Sequence, residues 1–323
     1  MQKEIDFICI GAQKSGTSWL NSILSNLEDF KVPAVKEVHY FNRSEFYKKN
    51  KLEQLSNRQF YFKKFISNKL YRKRFLRRYK RNLKQNGLNS IFELNHYYFG
   101  FADDKWYKKL LHFDNKKLYI GEITPAYACL NLTDIKHLKK IAPNCKIIFL
   151  IRNPIERAIS HAKHHVKHSS DINEKLFDLN NFEKFKNFIK SDHQNLKSNY
   201  LKTLSKYLKF FSPDNILVAF FDSIRNEPKI LISDILKFIT DDPNYNLKID
   251  FEKLNLYTIK NRGNKFKFND EYMLFLRNYY KNDMEKLSNI FNGYCKVWLG
   301  KSTSKKPKST ILLSKISRFK NVI

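Results

Sequence analysis

The chain has 323 residues, 42% of them hydrophobic, and carries 61 Lys and Arg against 31 Asp and Glu, a formal net charge of +30. That hydrophobic share supplies a sizeable core and excludes an intrinsically disordered chain, while no run approaches the roughly 18 uninterrupted apolar residues of a membrane span. A field this positive attracts polyanions of any kind, so nucleic acid, anionic lipid, acidic glycan and phosphorylated cofactor all stay open, as does a mere compositional bias toward lysine.

The N-terminus runs straight into the apolar strand pattern Phe7-Ile8-Cys9-Ile10, with no leader-like stretch before it, so the expected location is the cytoplasm. Gly11 to Ser18 follows as a small-residue loop, then Leu20, Ile23, Leu24 and Leu27 recur at helical period. From Gln54 to Phe92 there is no acidic residue, and Tyr71, Phe75 and Tyr79 recur every four residues among Lys and Arg. That spacing predicts a basic helical insertion over about 43–92. Tyr119 to Ile123 reads as a further strand. Lys146 to Ile151 is a continuous apolar run leading into Arg152-Asn153-Pro154 and a helix over about Glu156 to Lys167, with Pro154 suited to its first turn. Ser198 to Phe211 reads as a helix, Ile216 to Phe221 as a strand, and Pro228 to Ile239 as an amphipathic helix.

Continuous apolar strands alternating with amphipathic helices predict an α/β fold, a P-loop-like central parallel sheet flanked by helices with a basic helical insertion. One domain over 1–300 is expected, with 301–323 a basic, loosely docked tail. Cys9, Cys129, Cys145 and Cys295 are widely spaced without a CxxC pair, which favours reduced and mostly buried thiols.

A small-residue turn between strand and helix offers backbone N–H groups and a positive helix end to an anion. Gly11 to Ser18 has that form, but Gly16 is followed by Thr17-Ser18 and the lysine lies inside the loop at Lys14. The lysine of a Walker A loop is therefore missing, and no apolar strand ends in an Asp placed to hold magnesium. Phosphoryl or sulfuryl donors that need no metal fit better.

These residues resemble the sulfotransferases that use 3′-phosphoadenosine 5′-phosphosulfate, and most closely the branch similar to heparan sulfate sulfotransferases. Five segments carry the resemblance in order: Gln13 to Ser18, Lys36 to Phe41, Gly121 to Tyr127, Ile151 to Ser160, and Tyr200 through Asn226-Glu227-Pro228. The resemblance implies that Gln13, Lys14, Ser15, Gly16, Thr17 and Ser18 bind the 5′-phosphosulfate. It implies that Arg152 and Ser160 bind the 3′-phosphate, with Tyr200 and the loosely similar loop around Arg262 and Gly263 also at the donor. In-line displacement at sulfur needs a base for the acceptor and positive charge on the departing phosphate. Glu37 is the candidate base and Lys14 the charge, with His39 sharing the proton or orienting the carboxylate. An ordinary carboxylate, at about 4.3, is a weak base for a hydroxyl, so proton removal accompanies attack unless burial raises the value.

Two features depart from the resemblance. His161, His164, His165 and His168 share one helix where the family has an aromatic near Ala162; their spacing suits zinc, but no Cys or acid accompanies them, so no metal is expected. The basic insertion is the other. An acidic carbohydrate acceptor is the expected partner for that charge, an anionic membrane surface a second, and nucleic acid the least supported, since no recognisable nucleic-acid motif occurs. A kinase-like phosphotransferase is the alternative enzyme.

Overall fold

The computed structural model describes residues 4–42, 65–112, 117–168, 180–257 and 268–316. In chain order the elements are β1 (Phe7–Gly11), α1 (Thr17–Leu24), β2 (Phe30–Lys31), α2 (Lys69–Phe99), α3 (Asp104–Leu111), β3 (Tyr119–Ile123), α4 (Leu132–Ile141), β4 (Lys146–Ile151) and α5 (Pro154–His168). They continue with α6 (Phe182–Lys190), α7 (Asp192–Ser198), α8 (Tyr200–Leu208), β5 (Ile216–Phe220), α9 (Phe221–Asn226), α10 (Pro228–Thr240), α11 (Asp270–Phe291), α12 (Gly293–Trp298) and β6 (Thr310–Leu312).

The apolar runs are strands buried on both faces. They form a six-stranded sheet ordered β2-β3-β1-β4-β5-β6, parallel except for the antiparallel β5–β6 pair. Alternation along β1 sends Ile8 and Ile10 into one core with α3, α4 and α8, and Phe7 and Cys9 into the other with α1 and α10. A third apolar cluster joins α5, α6 and α11 through Ala158, Phe185, Tyr272 and Tyr280. Cys9, Cys145 and Cys295 are buried free thiols, and burial pushes Cys9 up to about 12. Among the described residues, no helix is long and apolar enough to cross a membrane.

Several boundaries differ from the sequence expectation. The predicted helix from Ser198 is split at Asn199, whose side chain leaves the helical path to accept the Lys202 N–H and cap α8. The helix after Arg152 begins at Pro154, with Asn153 Oδ1 accepting the Ile155 N–H at 2.9 Å. The tail is not loose throughout, because Thr310–Leu312 pairs with Leu217–Ala219 and Leu313 is buried.

The basic insertion is helical as expected, but α2 runs past Phe92 to Phe99 and residues 43–64 lie outside the described residues. The Phe75 ring lies 4.8 Å from that of Tyr98, and the Tyr79 hydroxyl donates to Asn95. In a straight helix those pairs would stand about 34 Å and about 24 Å apart. The segment therefore folds back on itself between Tyr79 and Asn95. Phe75 and Tyr79 pack against the core, while Lys73, Arg77, Lys80 and Lys84 are exposed. On the returning leg Glu93 is buried, accepting from Lys31 Nζ and the Ala34 N–H at 2.6 Å each.

Candidate active site

The site lies at the carboxyl ends of β1 and β4, where an open parallel sheet leaves a crevice. After β1 the loop turns through Lys14 at φ 70° and Gly16 at φ 94° before α1 starts at Thr17. Its conformation requires glycine at position 16, and a Cβ there would also displace the Ile224 side chain, whose Cδ1 would stand 2.2 Å away. The loop thus presses against α9 and turns the first N–H groups of α1, which have no intrahelical acceptors, toward the crevice. Ser15 Oγ is fully buried and makes no hydrogen bond of normal geometry.

Arg152, just past β4, reaches back to this loop. Its Nη1 donates to the Lys14 carbonyl at 3.2 Å, its Nη2 pairs with Glu156 at 2.8 Å, and its guanidinium lies 4.1 Å from the Phe221 ring centroid. Tyr200 is buried and its hydroxyl donates to the Arg152 carbonyl at 2.8 Å, so it braces the backbone behind Arg152. Ser160 is half-buried on α5. Arg262 and Gly263 lie outside the described residues.

From the other side comes the segment after β2. Lys36 Nζ donates to Ser18 Oγ at 2.5 Å and stands 3.4 Å from Glu37 Oε1, while Glu37 Oε2 is 3.5 Å from His39 Nε2. Glu37 and His39 both have positive φ, 63° and 58°. What fixes that backbone is a buried network: the Tyr40 N–H donates to the Tyr127 hydroxyl at 2.9 Å, and Tyr127 donates to Glu122 Oε1 at 3.0 Å. Glu122, 1% exposed, also accepts from Tyr107 at 2.5 Å and Thr124 at 2.6 Å. Burial raises the Glu122 carboxyl above its ordinary value despite those hydrogen bonds.

Electrostatically the site gathers Lys14, Lys36 and Arg152, with Glu37 among the lysines and Glu156 paired to Arg152. Burial, then the charges of Lys36 and Arg152, pull the Lys14 ammonium below its ordinary value, and Glu37 offsets part of this. Burial pushes Glu37 upward, but the hydrogen bond to His39 and the charges of Lys36 and His39 outweigh it, leaving the carboxyl below its ordinary value. Burial therefore does not make Glu37 a stronger base. Three cations and a tight loop fit a doubly anionic group better than a neutral one.

Sequence reasoning missed Lys36, although its position beside Glu37 was a usable signal. It also missed Phe221, Glu122 and Tyr127, which support the site through packing and hydrogen bonds across distant segments. The four histidines do not act as one face: His161 is buried, His164 is exposed, and the His168 side chain is not described. No group of three or more metal-ligating side chains occurs among the described residues.

The site is thus built on an open, mostly parallel sheet, with a small-residue loop after β1 and a basic strand end after β4 beside it. The chain belongs to the sulfotransferase family: the model for the sulfotransferase domain matches residues 4–272. No curated protein matches it. Among solved structures, a sulfotransferase from Alicyclobacillus acidocaldarius superposes with a TM-score of 0.54 at 16% identity, covering 94% of this chain and 98% of that one. The sulfotransferase domain of the Synechococcus PCC 7002 olefin synthase gives 0.44 at 14% identity, with 86% and 94% covered. The first of these likenesses shows the fold.

Proposed function

We propose that this sulfotransferase uses 3′-phosphoadenosine 5′-phosphosulfate as its donor and a hydroxyl or amino group of a carbohydrate as its acceptor. The observation that carries the donor reading is the convergence of Lys14, Lys36 and Arg152 on one glycine-bearing loop, with Glu37 facing it. Lys14, Lys36 and the first N–H groups of α1 would hold the 5′ end, and Arg152 with Ser160 the 3′ end. The donor brings an activated sulfuryl group whose leaving phosphate gathers negative charge. Lys14 and Lys36 are the groups that meet this charge.

Glu37 accepts the acceptor's proton as attack proceeds, because a carboxylate below its ordinary value cannot remove the proton beforehand. His39 orients that carboxylate from Nε2, and its Nδ1 faces Asn42 Oδ1 at 3.3 Å. The carbohydrate acceptor rests on the sequence resemblance to heparan sulfate sulfotransferases and on the exposed lysines of α2. Calorimetry tests the donor reading directly: 3′,5′-adenosine bisphosphate should bind without metal and more tightly than ATP with magnesium. The reverse order would replace it with the kinase-like alternative.

A further inference from the structure

Behind the site, between α5, α7 and α11, lies a buried cluster of positive charge that contains no acid among the described residues. Arg157 is 0% exposed, and its Nη2 donates to Gln194 Oε1 and Ser198 Oγ at 2.7 Å each. Its Nε and Nη1, His161 Nδ1 and Gln194 Nε2 make no hydrogen bond of good geometry, although the Tyr280 hydroxyl lies within reach of Arg157 and Gln194 within reach of His161. Lys197, 8% exposed, places Nζ 3.5 Å from His161 Nε2 and 2.7 Å from His193 Nε2. Gln194 stands beside both Arg157 and His161, so the orphaned nitrogens belong to one connected group. Cys129 and the hydroxyls of Tyr200 and Tyr280 are the other titratable groups around these cations. Among the described residues, no carboxylate forms an ion pair with Arg157 or Lys197.

Water would satisfy donors here but not charge. A buried ion without a counter-charge is costly, and natural interiors avoid it by pairing or by neutralisation. Lys197 can shed its proton and His161 can stay neutral, and burial moves them that way, to about 8 and about 2. Arg157 has no such escape, because guanidinium stays protonated. The interior therefore holds a fixed positive charge with poorly satisfied donors around it. Exposed His193, in contact with Lys197, gives the cluster a way out to solvent.

We propose that Arg157, His161, Gln194 and Lys197 form a buried binding site for a monatomic anion, a halide. Such an ion is close to water in size, accepts from every direction, and supplies a counter-charge that none of the described residues provides. It ties α5, which follows directly from Arg152, to α7. The site is separate from the loop at Lys14 and does not depend on which donor the enzyme uses.

The test has two arms. Crystals soaked in sodium bromide should give an anomalous peak within hydrogen-bonding distance of Arg157 Nη1 or Nε and of Lys197 Nζ. Thermal unfolding in sodium chloride should exceed that in sodium gluconate at equal ionic strength by about 2 °C once chloride is tenfold above its dissociation constant. Lys197→Gln should cut that chloride increment at least by half, whatever it does to baseline stability. A cluster without a bromide peak, or equal unfolding temperatures in both salts, overturns the proposal and leaves ordered water around a strained arginine. A chloride increment that Lys197→Gln leaves intact overturns it too, because the halide would then act elsewhere.

Discussion

Glu37 Oε2 lies 3.5 Å from His39 Nε2, with one residue between them and both backbones in the left-handed region. Two such residues separated by the buried Val38 turn both side chains toward the crevice while the apolar side chain anchors the segment. Glu37→Gln, nearly isosteric, should lower kcat by roughly 10²–10⁴ with donor affinity unchanged, the range of a lost general base. His39→Ala should have a smaller effect. Because the Glu37 carboxyl sits below its ordinary 4.5, it stays ionised to lower pH, and the acid limb of kcat should fall below that value. Near-normal turnover in Glu37→Gln would remove it from the chemistry.

Arg152 has two duties that a single substitution can separate. On the proposed reading its charge would meet the donor's 3′ end, and its Nη1 holds the Lys14 carbonyl. Arg152→Ala should weaken 3′,5′-adenosine bisphosphate more than adenosine 5′-phosphate, each lost charged hydrogen bond costing about 1.5–3 kcal/mol. Adenosine 5′-phosphate should also lose some affinity, because the loop loosens. Equal losses for both ligands, measured by calorimetry, would make Arg152 a purely structural residue.

Lys36→Met removes the tie to Ser18 and one of three cations at the loop. The expected result is a loss of both donor affinity and kcat, with the Lys14 ammonium rising toward its ordinary value once a repelling neighbour is gone. Steady-state kinetics with unchanged constants would place Lys36 outside the site.

Gly16→Ala should cost about 1–3 kcal/mol from backbone conformation alone. It also drives a methyl into Ile224. The double substitution Gly16→Ala/Ile224→Ala relieves only the second cost, so denaturant unfolding should show partial rescue. Full rescue would mean that conformation was never the constraint.

His161 is held neutral in the fold, with its pKa lowered by burial to about 2 from an ordinary 6.5. Its unfolded form binds a proton below about 6.5 and the folded form does not, so stability should fall with pH below 6.5 by up to about 1.4 kcal/mol per unit. His161→Gln should flatten that part of the stability profile. A slope unchanged between wild type and variant would assign it to other groups.

Tyr127→Phe tests the support behind Glu37. It leaves the Tyr40 N–H without an acceptor and takes one donor from Glu122, a loss of about 1–3 kcal/mol. The expected kinetic signature is a lower kcat with donor affinity unchanged. Loss of donor affinity instead would show that the network supports the loop and not the base.

What the sequence determined by itself was whatever local pattern controls. Continuous apolar runs at Phe7, Lys146 and Ile216 could only be strands covered on both sides, and the displaced Lys14 distinguished the loop from an ATPase loop. Arg152, Glu37 and Tyr200 were legible because each sits at fixed spacing within a recurring segment. Tertiary structure decided everything that depends on partners far away in sequence. The reversal within α2, the strand in the tail, and the Tyr127–Glu122 brace all arise from contacts between segments that no periodicity reveals. So does the charge balance. Glu37 falls below its ordinary value because Lys36 and His39 approach it, and Arg157 has no ion-paired acid among the described residues because none packs beside it there. Chain order names the ionisable groups, but Coulomb energy depends on separation and dielectric, and both are set only by packing.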